Sequence, residues 1–305
     1  MFEIALKKVS AIQKLYLILD KKMKKVNLFI IGAMKSGTTT LHDYLSEHPE
    51  IFMSQDKEPG FFVDKIWKNR PRDDYEKLFH RATNEKYLGE SSTHYTKLPT
   101  FPGVAEKIYQ YNPSAKILYI VRHPIERAIS HYYHNRRDLL FSAEKRSIYR
   151  AFTEDNTYMA YSNYAMQIEP YLKLFGSNNL LIIVFENIIS GSANDLFKIF
   201  NWLNIEKPQN LILTKKSNIA PERFNVVRGF GFLNKLRYSS LWGVISPYVP
   251  KKTRQFGNLL SEKKEVKRIN KKDKNKIYHE FKPVFQEYIH NLEKLTGESY
   301  PLWTL

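Results

Sequence analysis

Lys35 stands inside NLFIIGAMKSGTTT (residues 27–40), an apolar run that breaks into a glycine-bracketed loop followed by three threonines. That order suits an anion cradle. A buried strand delivers the chain to a sheet edge, glycines let the backbone amides turn inward, and a helix begins with its unpaired N–H groups aimed at the same place. Gly32 and Gly37 have the G-x-x-x-x-G spacing of a nucleoside-triphosphate loop, in which Lys-Ser/Thr should follow directly. Thr38 and Thr39 follow instead, and the lysine comes early, at Lys35. The loop can hold phosphate but lacks the lysine that reaches the outer phosphates of ATP.

A second constellation, VRHPIERAISHYYHNRR (121–137), sets Arg122 at the end of an apolar run and Ser130 eight residues later on a helical segment. A guanidinium fork with a hydroxyl donor receives a phosphate monoester well, through paired donors and fixed charge.

The elements that must position these groups are legible. Val26–Ile31, Lys86–Gly89, Lys116–Val121 and Leu180–Phe185 read as strands. Thr38–Ser46, Ile125–Arg137, Tyr158–Phe175 and Ser192–Leu203 read as helices, the last with Ser192 as its cap. Strands alternating with helices predict an α/β fold with a parallel sheet and crossover helices, whose ligands lie at the carboxyl ends of the strands. The Gly32 loop and Arg122 both fall there.

With 305 residues and 43% hydrophobic content, the chain can bury one full core. Cysteine is absent, which excludes disulfides and thiolate metal sites. No apolar stretch is long enough to span a bilayer, and Lys7, Lys8 and Lys14 interrupt the N-terminus in a way unlike a cleavable signal. The formal charge is +17, of which residues 251–276 (eleven Lys/Arg against three Asp/Glu) and 1–25 (seven against two) supply 13. Such a balance suits an acidic partner: a nucleotide, an anionic glycan, a lipid surface or nucleic acid. Solvated helix faces account for it equally simply. Zinc-finger spacing and RNP-type aromatics are absent, so specific nucleic-acid recognition is not expected.

Together, GAMKSGTTTLHDYLSEHPEI and ILYIVRHPIERAISHYYH resemble the sulfotransferases that use 3′-phosphoadenosine 5′-phosphosulfate (PAPS), nearest to bacterial members and to the heparan-sulfate and other carbohydrate sulfotransferases. KEPGFF (57–62), GESSTHY (89–95), SNYAMQIEPYLKLFG (162–176), LIIVFENII (181–189) and LEKLTGESYPLW (292–303) fall where that family has related segments. The resemblance implies a P-loop-like, three-layer fold with a central parallel β-sheet flanked by helices. It also implies PAPS as sulfuryl donor without a metal, and a single domain over 23–305 after a basic extension, 1–22.

It further implies site residues. Lys35 would neutralise charge on the leaving oxygen, and Ser36, Gly37, Thr38 and Thr39 would hold the 5′-phosphate. Arg122 and Ser130 would hold the 3′-phosphate, Tyr164 would contact the adenosine, and Arg223, in KKSNIAPERF with Lys216 and Asn218, would add a phosphate contact. Glu58 matches the catalytic glutamate of the carbohydrate branch, with Phe61 and Phe62 walling it and raising its proton affinity by desolvation.

His42, His48 and His94 are the competing bases, because the cytosolic small-molecule branch uses histidine; of these, His48, just past the first helix, reads as a structural cap, and His94 follows Glu90 at a strand end. Ser91 stands where glycan-branch members often carry lysine. A hydroxyl acceptor on a carbohydrate or glycolipid is expected, in a cytoplasmic protein or one peripheral to the inner face of the membrane through Leu15–Leu19 and its flanking lysines. The alternatives are a small-molecule sulfotransferase or ATP-dependent kinase-like transferase on the same cradle, and a basic nucleic-acid-binding protein.

Overall fold

The computed structural model describes residues 25–137, 144–190, 194–207, 223–227, 263–267 and 271–303. Five strands, β1 (Leu28–Gly32), β2 (Ile51–Met53), β3 (Tyr87–Ser91), β4 (Lys116–Val121) and β5 (Leu180–Val184), form one sheet in the order β2-β3-β1-β4-β5. Every pairing in it is parallel, with Ile30 opposite Ser91 and Ile120 opposite Ile183. Because β1 lies between β3 and β4, the loops leaving these three strands meet at one edge of the sheet. That edge carries the Gly32 loop, the KEPGFF and GESSTHY segments, and Arg122.

The strands are apolar on both faces because both are covered. Phe29, Ile31, Ile117, Tyr119 and Val121 face one core, with Phe62, Tyr75, Tyr164, Ile168, Tyr171 and Trp303. Leu28, Ile30, Leu118 and Ile120 face the other, with Leu41, Leu45, Leu196 and Phe200. Alternation on central strands with helices on each side gives the three-layer α/β architecture predicted above.

The covering helices are α1 (Thr38–Ser46), α2 (Val104–Tyr111), α3 (Pro124–Arg137), α4 (Tyr164–Phe175), α5 (Asn194–Leu203) and the long α6 (Lys271–Thr296). An antiparallel pair, β6 (Arg223–Val227) with β7 (Lys263–Lys267), stands apart from the sheet, and β6 runs beside α3.

Several element boundaries differ from the sequence reading. The helix expected over 158–175 is broken into a short turn, Thr157–Ala160, and α4. Asn163 causes the break by capping α4, its side-chain oxygen accepting from the Met166 amide at 3.3 Å. Strand β2 and helix α2 carry little sequence signal, because three residues are too few to show alternation and α2 has no side-chain cap. The proposed Ser192 cap, and Lys216 and Asn218, lie outside the described residues.

Candidate active site

The cradle is built by backbone conformation. Ala33 donates from its amide to Ile120 at 2.7 Å, tying the loop to β4, and Ser36 closes a turn onto the Ala33 carbonyl at 3.1 Å. Lys35 (φ 70) and Gly37 (φ 89) both adopt left-handed backbone, which turns successive amides toward one point and starts α1. No acidic residue occupies the first turn of α1, so its positive end is unopposed. A β-carbon on Gly37 would lie 2.5 Å from the Phe185 ring. Gly37→Ala is therefore expected to cost about 1–3 kcal/mol in urea unfolding, from overpacking and backbone strain combined. Unchanged stability would show that Phe185 moves aside freely.

Arg122 converges on the same loop. Its guanidinium donates to the Lys35 carbonyl at 3.3 Å and lies 5.3 Å from the Phe185 ring centre. Tyr164 fixes it from behind: the phenol donates to the Arg122 carbonyl at 2.7 Å. Tyr164 itself is buried beside Tyr119 and Trp303. Ser36 is fully buried, with its hydroxyl against the Tyr164 phenol.

On α3, Ser130 and Glu126 share a face one turn apart. Glu126 lies 4.0 Å from Arg122 and is also engaged by Lys274 at 2.5 Å and Tyr278 at 2.6 Å. Burial would raise its carboxyl, but these donors and charges hold it below the usual value. Lys274 and Tyr278 thus leave Arg122 less committed to Glu126. Arg223 lies in β6, beside α3, and only its backbone is described.

Beside the cradle, the segment after β3 is pinned over β1. The Ser92 amide donates to Ile30 at 3.0 Å and the Thr96 hydroxyl to Ile31 at 2.8 Å. This brings His94 to Glu58. Glu58 Oε2 accepts from the Thr93 hydroxyl at 2.9 Å and lies 3.3 Å from His94 Nδ1, while Lys57 Nζ is 3.5 Å from Oε1. Glu58 itself takes a left-handed backbone (φ 60), anchored by its amide on the Ser91 carbonyl at 2.9 Å. Strain of this kind persists where surrounding contacts over-determine it.

The two phenylalanines do not take the role expected of them. Phe61 stacks on Tyr75 at 4.1 Å and Phe62 packs against Phe29 and Tyr95, so both belong to the core. Burial does push the Glu58 carboxyl up, but Lys57, His94, the Thr93 hydroxyl and Lys97 outweigh it and the net direction is down. His94 is also held below its ordinary value, by burial first and Lys97 second, with Glu58 opposing.

Sequence reasoning treated Glu58 and His94 as rivals; the fold places them in contact. It also missed Thr93, Lys97 and Glu186. Glu186 follows β5 and accepts from the His123 amide at 2.8 Å and the Trp303 indole at 3.2 Å, fixing the turn between Arg122 and α3. An acidic residue just past a buried strand was the available signal. His42 and His48 have structural roles. His42 Nδ1 pairs with the Ser91 hydroxyl at 2.8 Å; His48 bonds the Glu206 carbonyl at 2.8 Å and receives the Glu50 amide at 3.1 Å.

Glu90 is a further buried carboxyl, receiving the hydroxyls of Tyr95 at 2.6 Å, Ser92 at 2.7 Å and Tyr75 at 3.0 Å. Burial raises it from 4.5 to about 7 against those hydrogen bonds. The folded form therefore binds the extra proton, and stability should fall by about 3 kcal/mol as pH rises from 4.5 to 7. Glu90→Gln should abolish that slope in urea unfolding series; an unchanged slope would assign it to another group.

An anion cradle after the first strand, an arginine after the fourth and a carboxylate–imidazole pair beside them stand together on a parallel three-layer sheet. The chain belongs to the sulfotransferase domain family, whose model matches residues 25–292. Members of this family use PAPS as donor. A mouse protein named heparan sulfate glucosamine 3-O-sulfotransferase 3A1 is 28% identical over 228 residues, 72% of this chain and 54% of its own length. A membrane-associated sulfotransferase, kil1, of Dictyostelium discoideum is 34% identical over 110 residues, 35% of this chain and 22% of its own.

The chain thus spans about half, or less, of the length of these curated relatives. A sulfotransferase structure from Alicyclobacillus acidocaldarius superposes with TM-score 0.66 at 22% identity, covering 92% of this chain and 99% of its own, and so shares the fold. Among the described residues, no helix is long and apolar enough to cross a membrane, and no cluster of three or more His, Asp or Glu could hold a metal ion.

Proposed function

We propose that this sulfotransferase moves a sulfuryl group from PAPS to a hydroxyl of a carbohydrate or glycolipid. The observation that carries the proposal is the meeting of three loops. The Lys35 cradle, Arg122 bonded to the Lys35 carbonyl, and the Glu58–His94 pair leave adjacent strands at one sheet edge. The residues fit a donor with phosphate at both ends of its adenosine. The buried Ser36 hydroxyl and the α1 N-terminus, with no acidic residue in its first turn, serve one phosphate, and Arg122 with Ser130 the other.

PAPS supplies an activated sulfuryl group on a phosphate leaving group. The chain supplies positioning and charge. Gly37, Thr38 and Thr39 offer amides and hydroxyls to the 5′-phosphate, and Lys35 offsets the charge that develops as the group departs. Tyr164 acts through Arg122, holding its carbonyl, in place of the adenosine contact expected from sequence. Arg223 remains a proposed phosphate contact. The Glu58–His94 pair takes the acceptor proton.

Both members of that pair are displaced below their ordinary values, so the base stays unprotonated well into the acid range. Activity should hold steady as pH falls through 6.5 and decline only below it. Half-maximal activity at 6.5 or above would contradict this order of pKa shifts.

The carbohydrate acceptor is supported by Glu58 in KEPGFF and by the relatives named as heparan sulfate sulfotransferases. Radiolabelled sulfuryl transfer from PAPS to a panel of glycans, glycolipids and simple phenols tests it. Selective labelling of a glycan or glycolipid supports the reading, and labelling of phenols alone defeats it. The small-molecule reading is kept as the second because His94 accompanies Glu58 and Ser91 replaces the lysine frequent in the glycan branch.

A further inference from the structure

We propose that Glu58 and His94 form one composite base. His94 Nε2 accepts the proton, and Glu58 orients the ring by receiving the proton on Nδ1. The roles follow from exposure and contact. His94 Nδ1 is buried and faces Glu58 Oε2 at 3.3 Å, off the line of a full hydrogen bond. Contacts of this kind in a site without substrate tighten when substrate binds. The imidazole as a whole is a quarter exposed, and Nδ1, not Nε2, is its buried nitrogen without a hydrogen bond. A carboxylate on Nδ1 selects the tautomer with its proton there and leaves Nε2 bare.

Thr93 fills one position on Glu58 Oε2 at 2.9 Å, and Lys57 lies 3.5 Å from Oε1. The carboxylate is thereby committed to holding its neighbours. The left-handed backbone at Glu58 and the bond from its amide to Ser91 fix it in that posture. Nearby, Phe101 packs 6.0 Å from the His94 ring. The charged groups acting on the pair are Lys57 from its own loop, Lys97 beyond His94, and Glu90 from β3.

In the transfer, the acceptor O–H gives its proton to His94 Nε2 and the acceptor oxygen forms the new O–S bond. The S–O bond to the donor phosphate breaks, leaving its electron pair on the bridging oxygen, where Lys35 supplies positive charge. The imidazolium so formed is stabilised by the Glu58 carboxylate. The inference rests on the sulfuryl-transfer reading but not on the identity of the acceptor.

The test uses the full chain labelled with 15N-histidine and saturated with adenosine 3′,5′-bisphosphate, with His94→Gln supplying the assignment. Binding of that nucleotide is measured in each sample by calorimetry. Nitrogen shifts should show His94 protonated on Nδ1 in the wild type. In Glu58→Gln they should show a mixture of tautomers and a lower His94 pKa, since the stabilising charge is gone.

Slow transfer of the sulfuryl group to water, followed as release of the bisphosphate, needs no identified acceptor. It should fall about 10²-fold in His94→Gln, less in Glu58→Gln, and no further in the double variant than in His94→Gln alone. A wild-type His94 protonated on Nε2, or a His94→Gln variant retaining wild-type release, would overturn the dyad. Failure to bind the bisphosphate would instead overturn the donor site on which it depends.

Discussion

Replacing Lys35 with alanine should lower kcat by about 10²- to 10³-fold, equivalent to about 3–4 kcal/mol of lost charge stabilisation. Affinity for the donor should change much less. The reason lies in the cradle's construction. In the proposed site, turns at Lys35 and Gly37, with the first turn of α1, hold the ground-state phosphate through backbone groups that the substitution leaves in place. The ammonium matters most when negative charge gathers on the leaving oxygen, so its loss should appear in kcat. Single-turnover kinetics with saturating PAPS measure this directly. A large rise in the donor KM with kcat preserved would assign Lys35 to binding and would require another group at the leaving oxygen.

The second large effect is expected at Arg122. Arg122→Ala should weaken adenosine 3′,5′-bisphosphate binding by about 2–3 kcal/mol, or roughly 30- to 150-fold. Adenosine 5′-monophosphate, which lacks the 3′-phosphate, should bind wild type and variant alike. Arg122 is held for this purpose by Tyr164 on its carbonyl and by the bond to Lys35. Its neighbour Glu126 is engaged by Lys274 and Tyr278. A Tyr164→Phe variant should show a smaller version of the same defect, because it loosens the arginine without removing it. Equal losses for both nucleotides in Arg122→Ala would mean that the residue supports the loop and does not read the 3′-phosphate.

The parallel sheet and the cradle were legible because each rests on local signals. LFIIG and KILYIV are too short for helices and too apolar for a half-exposed sheet. The glycines around Lys35 mark left-handed turns that L side chains resist. The α1 boundaries follow from Gly37 at its start and coincide with those expected.

The Glu58–His94 contact was not legible, since 36 residues separate the two and only the docking of Thr93–Thr96 over β1 joins them. The direction of the Glu58 shift was missed for a related reason. Phe61 and Phe62 are adjacent in sequence, yet they turn into the core against Tyr75 and Phe29, whereas Lys97 arrives from a distant loop. Side-chain direction after a turn such as Pro59–Gly60 depends on packing partners that spacing does not encode.

The proposed nucleotide site takes phosphates at both ends of its ligand along one edge of the sheet. The most direct measurement is the thermal stabilisation of the full chain by adenosine 3′,5′-bisphosphate without magnesium, compared with ATP and magnesium at equal concentration. The bisphosphate should raise the Tm by several degrees and ATP with magnesium much less. Equal or greater stabilisation by ATP with magnesium would contradict the two-ended site and return the cradle to the triphosphate-binding class.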